Sequence, residues 1–103
     1  MAKINQVTNT LSAANTFSKS LVNIAGYFNY SLSGTWVGTV TLQRSFDEGT
    51  TWRDVDSHTA NIETFGIEPG ENVQYRFGFK TGEYTSGACT GRIECAKPSR
   101  RGI

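Results

Sequence analysis

An all-β fold, an antiparallel β-sandwich, is the class this sequence predicts, on three observations. Several runs alternate apolar and polar residues with a period of two, which sends one set of side chains to a single face of a strand. Short clusters of Gly, Asn, Asp, Ser and Thr separate those runs, and only two Pro occur in 103 residues, as tight turns between strands require. Twelve aromatics supply bulk for a core although hydrophobic residues make up only 37% of the chain. A chain of this length forms one compact domain that buries about two-thirds of its unfolded surface.

Taken in order, "MAKINQVTNTLSAANTFSKS" is polar, lacks a clear period and reads as an N-terminal arm over 1–20 or an irregular first strand. The sandwich domain is expected over 21–95. In "NIAGYFNYSLSG", Ile24, Phe28, Tyr30 and Leu32 share one parity, with Tyr27 opposite. After Ser33-Gly34, "TWVGTVTLQRSF" puts Trp36, Val40, Leu42 and Phe46 on one face. "TTWRDVDSH" resumes the β pattern, "TANIETFGI" is less regular, and "EPGEN" makes a turn. "VQYRFGFK" alternates cleanly, with Val73, Tyr75, Phe77 and Phe79 together, and "ACTGRIECA" follows the turn "TGEYTSG". Six or seven short strands at this spacing suit a sandwich or small barrel. The expected core is Phe28, Tyr30, Trp36, Val40, Leu42, Val73, Tyr75, Phe77 and Ile93. The final stretch, 96–103, is a basic tail.

One stretch is more specific than the rest. "SFDEGTTW" reads Ser-x-Asp-x-Gly-x-Thr-Trp from Ser45 to Trp52 and matches the Asp-box of sialidases and other β-propellers. A propeller needs several blades of ~40–50 residues, and the box occurs once here, with no repeat at a fixed period. It is therefore expected to be a structural hairpin connection. Asp47 accepts N–H bonds across the turn, Gly49 takes positive φ, Trp52 covers the hairpin, and Ser45 and Thr51 tie its flanks.

Charge and cysteine usage narrow the function classes. Net charge is +1, which gives no electrostatic case for a nucleic-acid partner. No acid occurs before Asp47, seven occur over 47–71 (Asp47, Glu48, Asp54, Asp56, Glu63, Glu68, Glu71), and "KPSRRGI" is purely basic. Such asymmetry suits a subunit that touches several neighbours. Cys89 and Cys95 lie on one strand ~20 Å apart, whereas a disulfide needs Cα atoms within about 7 Å, so buried free thiols are expected. With free thiols, no signal peptide and no apolar run long enough for a bilayer, synthesis in a reducing cytoplasm and no membrane partner are expected.

Catalytic constellations do not emerge. His58 is the only histidine and reads as a surface strand residue. Asp54 and Asp56 share a strand parity, but the loop pattern of a dedicated calcium site is absent. Phe77 and Phe79 fit a core face rather than a nucleic-acid platform. Neither cofactor nor metal is expected. Sugar binding through flat aromatic faces is the functional rival; Trp36 has core parity and Trp52 its hairpin role, which leaves Tyr27 and Tyr84.

Two resemblances sharpen the expectation. "GIEPGENVQYRFGFKTGEYTSG" is similar to the end of fibronectin type III and other immunoglobulin-like domains, in which a Tyr near the start of such a strand closes a corner through its hydroxyl; Tyr75 would be that residue. An immunoglobulin-like sandwich is accordingly preferred, with a jelly roll as the alternative. "FNYSLSGTWVGTVTLQRSFDEGTTWRDV", continuing through "YRFGFKTGEYTSGACTGRI", resembles small virion proteins of tailed bacteriophages over about residues 28–93. That resemblance implies a structural protein of the particle without enzymatic activity, most of all a capsid decoration (cement) protein on the head shell. A neck, tail or fibre component, or a sugar-binding module on the virion, is the alternative. The implied partners are the major capsid protein or other virion subunits, with homo-oligomers within the particle. Candidate interface residues are the sparse apolar and basic side chains of the two ends: Ile4, Val7, Leu11 and Phe17, with Lys97, Arg100 and Arg101. The acidic stretch 47–71 is expected to meet basic groups on a second copy.

Overall fold

The structure, a computed structural model, describes residues 5–95. Its strands are β1 (Asn5–Leu11), β2 (Thr16–Phe17), β3 (Leu21–Ser45), β4 (Arg53–His58) and β5 (Ile62–Cys95), and all their pairings are antiparallel. The all-β class is thus as the alternation predicts. β3 and β5 run for 25 and 34 residues, far beyond the usual strand of about 5–6 residues. Each bends and changes partners along its length.

The pairings resolve into two layers. One places β1 beside residues 89–95 of β5, then residues 26–34 of β3, then residues 62–68 of β5. The other places β2 beside residues 73–79 of β5, then residues 40–45 of β3, then β4. β3 passes from the first layer to the second around Gly38, where the register slips on both sides. Gly38 has φ +148°, and a Cβ there would lie 2.4 Å from the Glu83 carbonyl oxygen, so only glycine allows the two backbones to approach this closely.

The core lies between the layers. Aromatic pairs bridge it: Phe28 with Tyr75 at 4.8 Å between centroids, Tyr30 with Phe77 at 6.1 Å, Trp36 with Phe79 at 5.9 Å. All nine residues expected from parity are buried, joined by Leu11, Leu21, Leu32, Phe79, Cys89 and Cys95. The side chain of Ile24 lies outside the described residues. Phe46 departs from the expectation and is 66% exposed, because β3 stops at Ser45 and the alternation stops with it.

The N-terminal stretch is the larger correction. Residues 5–11 are not an arm: they pair with β5 along their whole length, from Asn5 opposite Cys95 to Leu11 opposite Cys89. Val7 faces Ile93 and packs against the core, and Leu11 is part of it. Two large inward-facing side chains, Val7 and Leu11, are enough when the neighbouring strand supplies Cys89, Ile93 and Cys95.

Residues 62–68 form a regular strand whose polarity is reversed. Ile62, Thr64, Gly66 and Glu68 face inward or are partly covered, whereas Glu63, Phe65 and Ile67 face out. Gly66 makes room for the Phe28 ring, whose Cζ lies 2.8 Å from where a Cβ would stand.

Cys89 and Cys95 are buried and not joined to each other by a disulfide. Burial pushes the Cys89 thiol up to about 11, against one opposing backbone hydrogen bond from Ser33, so at neutral pH it is a poor nucleophile. Alkylation of the native chain is expected to be slow, and after unfolding both thiols should react. Intact-mass measurement checks this; a two-dalton deficit without added label would indicate a disulfide instead.

Candidate interaction surface

The Asp-box turn is held by its own side chains. Ser45 is fully buried, and its Oγ accepts from the backbone N–H of Gly49 at 2.9 Å and of Asp47 at 3.3 Å while donating to Asp47 Oδ1 at 2.8 Å. Asp47 Oδ1 also accepts from Thr51 N–H at 2.8 Å. Glu48 and Gly49 have φ of 61° and 86°, the left-handed conformation that the turn requires. The Thr51 N–H bond, followed by the Ser45 and Thr51 hydroxyls, holds the exposed Asp47 carboxyl below its ordinary value. Asp47 therefore spends its hydrogen-bonding capacity inside the turn. Asp47→Ala should lower the melting temperature without altering the secondary structure of the rest of the chain; circular dichroism with thermal melts checks both.

Trp52 lies under the guanidinium of Arg76, 4.4 Å from its ring, and Arg76 also stands 4.1 Å from the ring of Phe17 in β2. Arg76 Nε donates to Gln43 Oε1, and Gln43 Nε2 donates to Asp54 Oδ1, both at 2.8 Å. Asp54 is also paired with Lys80. Phe17 is thus part of a packed layer of aromatic, cationic and amide groups over the second sheet, not a free anchoring residue. Of the other end residues expected at an interface, Leu11 is buried in the core and Val7 is half-buried against it. Ile4, Lys97, Arg100 and Arg101 lie outside the described residues.

A β-bulge separates Asp54 from Asp56. The register of β4 against β3 shifts between Leu42 and Gln43, so Val55 is the extra residue and the two acids leave the shared face that parity predicts. Asp54 turns to Gln43 and Lys80. Asp56 turns to His58, whose Nε2 lies 3.0 Å from Asp56 Oδ2 and whose ring stands 6.0 Å from Tyr30. His58 is therefore half-buried over the core edge rather than a plain surface residue.

The group that sequence reasoning missed is Glu68. It is 1% exposed and accepts four hydrogen bonds: two from Arg44 (Nε and Nη2) at 2.6 Å, one from the Tyr75 hydroxyl at 2.7 Å, one from Gly70 N–H at 2.7 Å. Burial pushes its carboxyl up, but the bonds from Arg44, Tyr75 and Gly70 outweigh burial and hold it below the ordinary range. The Tyr75 hydroxyl, expected to close a corner, donates to this carboxylate. A signal existed: Arg44 has the same parity as Val40 and Leu42, and Tyr75 the same parity as Phe77, so a cation and a phenol both pointed inward and needed an acceptor.

Most of the acidic stretch is thereby matched within the chain, with Asp47 in its turn and Asp54, Asp56 and Glu68 paired. The expected charge contact of 47–71 with a second copy loses those four acids. Among the aromatics considered for sugars, Trp36 is buried, and Tyr84 packs edge-on against Phe79 at 4.9 Å while its hydroxyl donates to the Gly87 carbonyl. Tyr27 is 69% exposed and lies 6.4 Å from the ring of Phe65.

Four of the six large exposed apolar side chains among the described residues lie on one flank; Val37 and Phe46 do not belong to it. Tyr27, Phe65 and Ile67 share the outer face at the free edge of the first layer, with Tyr27 opposite Ile67 in register. Val55, on the bulge of β4, lines a cleft of about 200 Å3 together with Phe65 and Ile67. Phe28, Tyr30, Leu42 and Tyr75 form the floor of that cleft, between the edges of the two layers.

No protein-family model and no curated protein matches the chain. Among solved structures it is similar to the Yersinia pseudotuberculosis-derived mitogen, at a TM-score of 0.59 and 11% identity, over 99% of this chain and 92% of that one. At that identity the likeness is one of fold: a single antiparallel β domain of nearly equal extent.

Proposed function

We propose that this chain is a non-enzymatic structural protein of a tailed-bacteriophage particle, most specifically a decoration protein on the outer head shell. The observation that carries the reading is where the phage-like sequence pattern falls. Its most specific part, Gly38 to Asp47, builds the stretch of β3 that pairs with β4 on one side and β5 on the other. It then ends in the self-contained Asp-box turn. The residues in common are thus those that fix the fold, and a shared fold is what the resemblance implies. The ionisable groups that chemistry would need are engaged in architecture: Glu68 in the corner, Asp54 in an ion pair with Lys80, Asp56 in a hydrogen bond with His58, Asp47 in the turn. A rigid core with adhesive surfaces is what a cement subunit requires.

The finer fold assignment follows the pairing order. With eight segments numbered along the chain, the layers read 1-8-3-6 and 2-7-4-5, which is the strand order of a jelly roll. An immunoglobulin-like domain keeps its first two strands in one sheet; here β1 and β2 lie in different layers. The jelly-roll reading is therefore adopted over the immunoglobulin-like one.

Imaging of the purified particle at subunit resolution tests the proposal. Density for this chain on the outer head shell, and a shell less resistant to heat when the chain is stripped off, are the expected results. Density at the neck, tail or fibre, or none on the particle, overturns the head-decoration reading.

A further inference from the structure

We propose that residues 62–68 form a two-fold interface with a second copy of this chain, in which the two edge strands pair antiparallel and join two first layers into one continuous sheet. The proposal stands on the isolated molecule and does not depend on a place on the head shell.

The strand is the outermost of its layer: it pairs with β3 on one side and, among the described residues, with nothing on the other. An unpaired edge presents a row of N–H and C=O groups that natural proteins usually blunt with charge, Pro or a bulge. Here the edge carries no lysine and one exposed acid, Glu63, and no proline interrupts it before Pro69. Its polarity is also the reverse of what folding needs. Phe65 (68% exposed) and Ile67 (58%) face solvent, while the inward positions go to Thr64, Gly66 and Glu68. Nothing inside the domain calls for a Phe and an Ile there; an external surface does.

The occupant follows from charge and symmetry. Two-fold antiparallel pairing centred on Phe65 sets Phe65 against its own counterpart and Glu63 against Ile67 of the second copy. The two Glu63 side chains are then offset by four residues, about 13 Å along the strand, beyond the screening length of about 8–10 Å in ordinary buffer. The other acids of this flank are engaged within the chain, Glu68 in its ion pair with Arg44 and Asp56 in a hydrogen bond with His58. An edge strand with a single exposed acid, kept apart from its counterpart by the two-fold register, favours its own copy. In that pairing Phe65 and Ile67 meet the second copy directly, while Tyr27, one strand in, and Val55, on β4, border the contact. The apolar contact is well below the ~800 Å2 per partner of a stable interface, and the paired backbone edge adds to it. The expected result is a reversible dimer at about tens of micromolar chain.

Sedimentation equilibrium of the full chain tests this directly. The wild type should dimerise, and Phe65→Lys or Ile67→Lys, both at exposed positions that leave the core intact, should remain folded by circular dichroism and monomeric. The register is read by Phe65→Cys, which should form an intermolecular disulfide with itself under mild oxidation, whereas Thr8→Cys on the distant outer face should not. A wild type that stays monomeric at about a millimolar, or a dimer that survives both lysine substitutions, overturns the proposal. So does a disulfide-linked dimer formed equally by Thr8→Cys.

Discussion

Glu68→Ala is expected to destabilise the folded chain by about 3–5 kcal/mol, the cost of breaking a buried, hydrogen-bonded ion pair from one side. At a midpoint shift of about 4–8 °C per kcal/mol for a domain near this size, the melting temperature should fall by roughly 15–30 °C. Three donors lose their acceptor at once: Arg44, the Tyr75 hydroxyl and Gly70 N–H. Glu68→Gln keeps the shape and one acceptor oxygen but presses an amide N–H2 against the guanidinium, so about half the loss should remain. The pH dependence has a definite sign. Because the folded carboxyl titrates below its ordinary value of about 4.3, the carboxylate contributes stability that is complete above that value and is lost as pH falls through the lower folded one. Wild type should therefore lose melting temperature more steeply below about pH 4.3 than Glu68→Gln does. Equal acid slopes for the two proteins would show that the network is not what stabilises this corner.

Gly91→Ala carries the second large effect. A Cβ at Gly91 would stand 2.3 Å from Cε1 of Phe77 and 2.7 Å from its Cζ. Phe77 is fully buried, so its ring has no room to retreat, and overpacking of this kind costs about 1–3 kcal/mol. Phe77→Leu alone should also destabilise, through the space it leaves. In the Gly91→Ala background the same Phe77→Leu change should cost much less, because the smaller side chain vacates the position that the methyl group needs. A double-mutant cycle by urea denaturation is expected to give a coupling of about 1–3 kcal/mol. Additive effects would mean that the two residues do not meet across the layers.

The core was legible because it is a one-dimensional pattern. Parity along each run places Phe28, Tyr30, Val40, Leu42, Tyr75 and Phe77 on inner faces whatever their partners, and all are buried. The Asp-box turn was legible for a related reason, since its bonds join residues no more than four apart. What parity cannot carry is pairing between distant residues. Arg44 meets Glu68 across 24 positions, and Val7 acquires a core role only because Ile93 lies opposite it. The strand 62–68 was illegible for a third reason: its apolar residues point outward, so a reading that sends apolar side chains inward finds no regular strand there. The bulge at Val55 likewise breaks the parity on which the Asp54–Asp56 pairing rested.

Asn5 stands opposite Cys95, and this pairing of the first described strand with the last governs how the layer is able to form. Of the described strands β1 is made before the others, yet its partner segment, residues 89–95, is made after all of them. Residues 62–68 likewise must wait for nothing but β3, whereas residues 89–95 must slot between β1 and β3 to complete the layer. The second layer has all its strands once residue 79 is made, but the first cannot close before residues 89–95, so its folding is dominated by contacts far apart in sequence, the regime of milliseconds to seconds. Until that last insertion the strands that will flank it expose open edges, and in that interval the nascent protein is most vulnerable to aggregation.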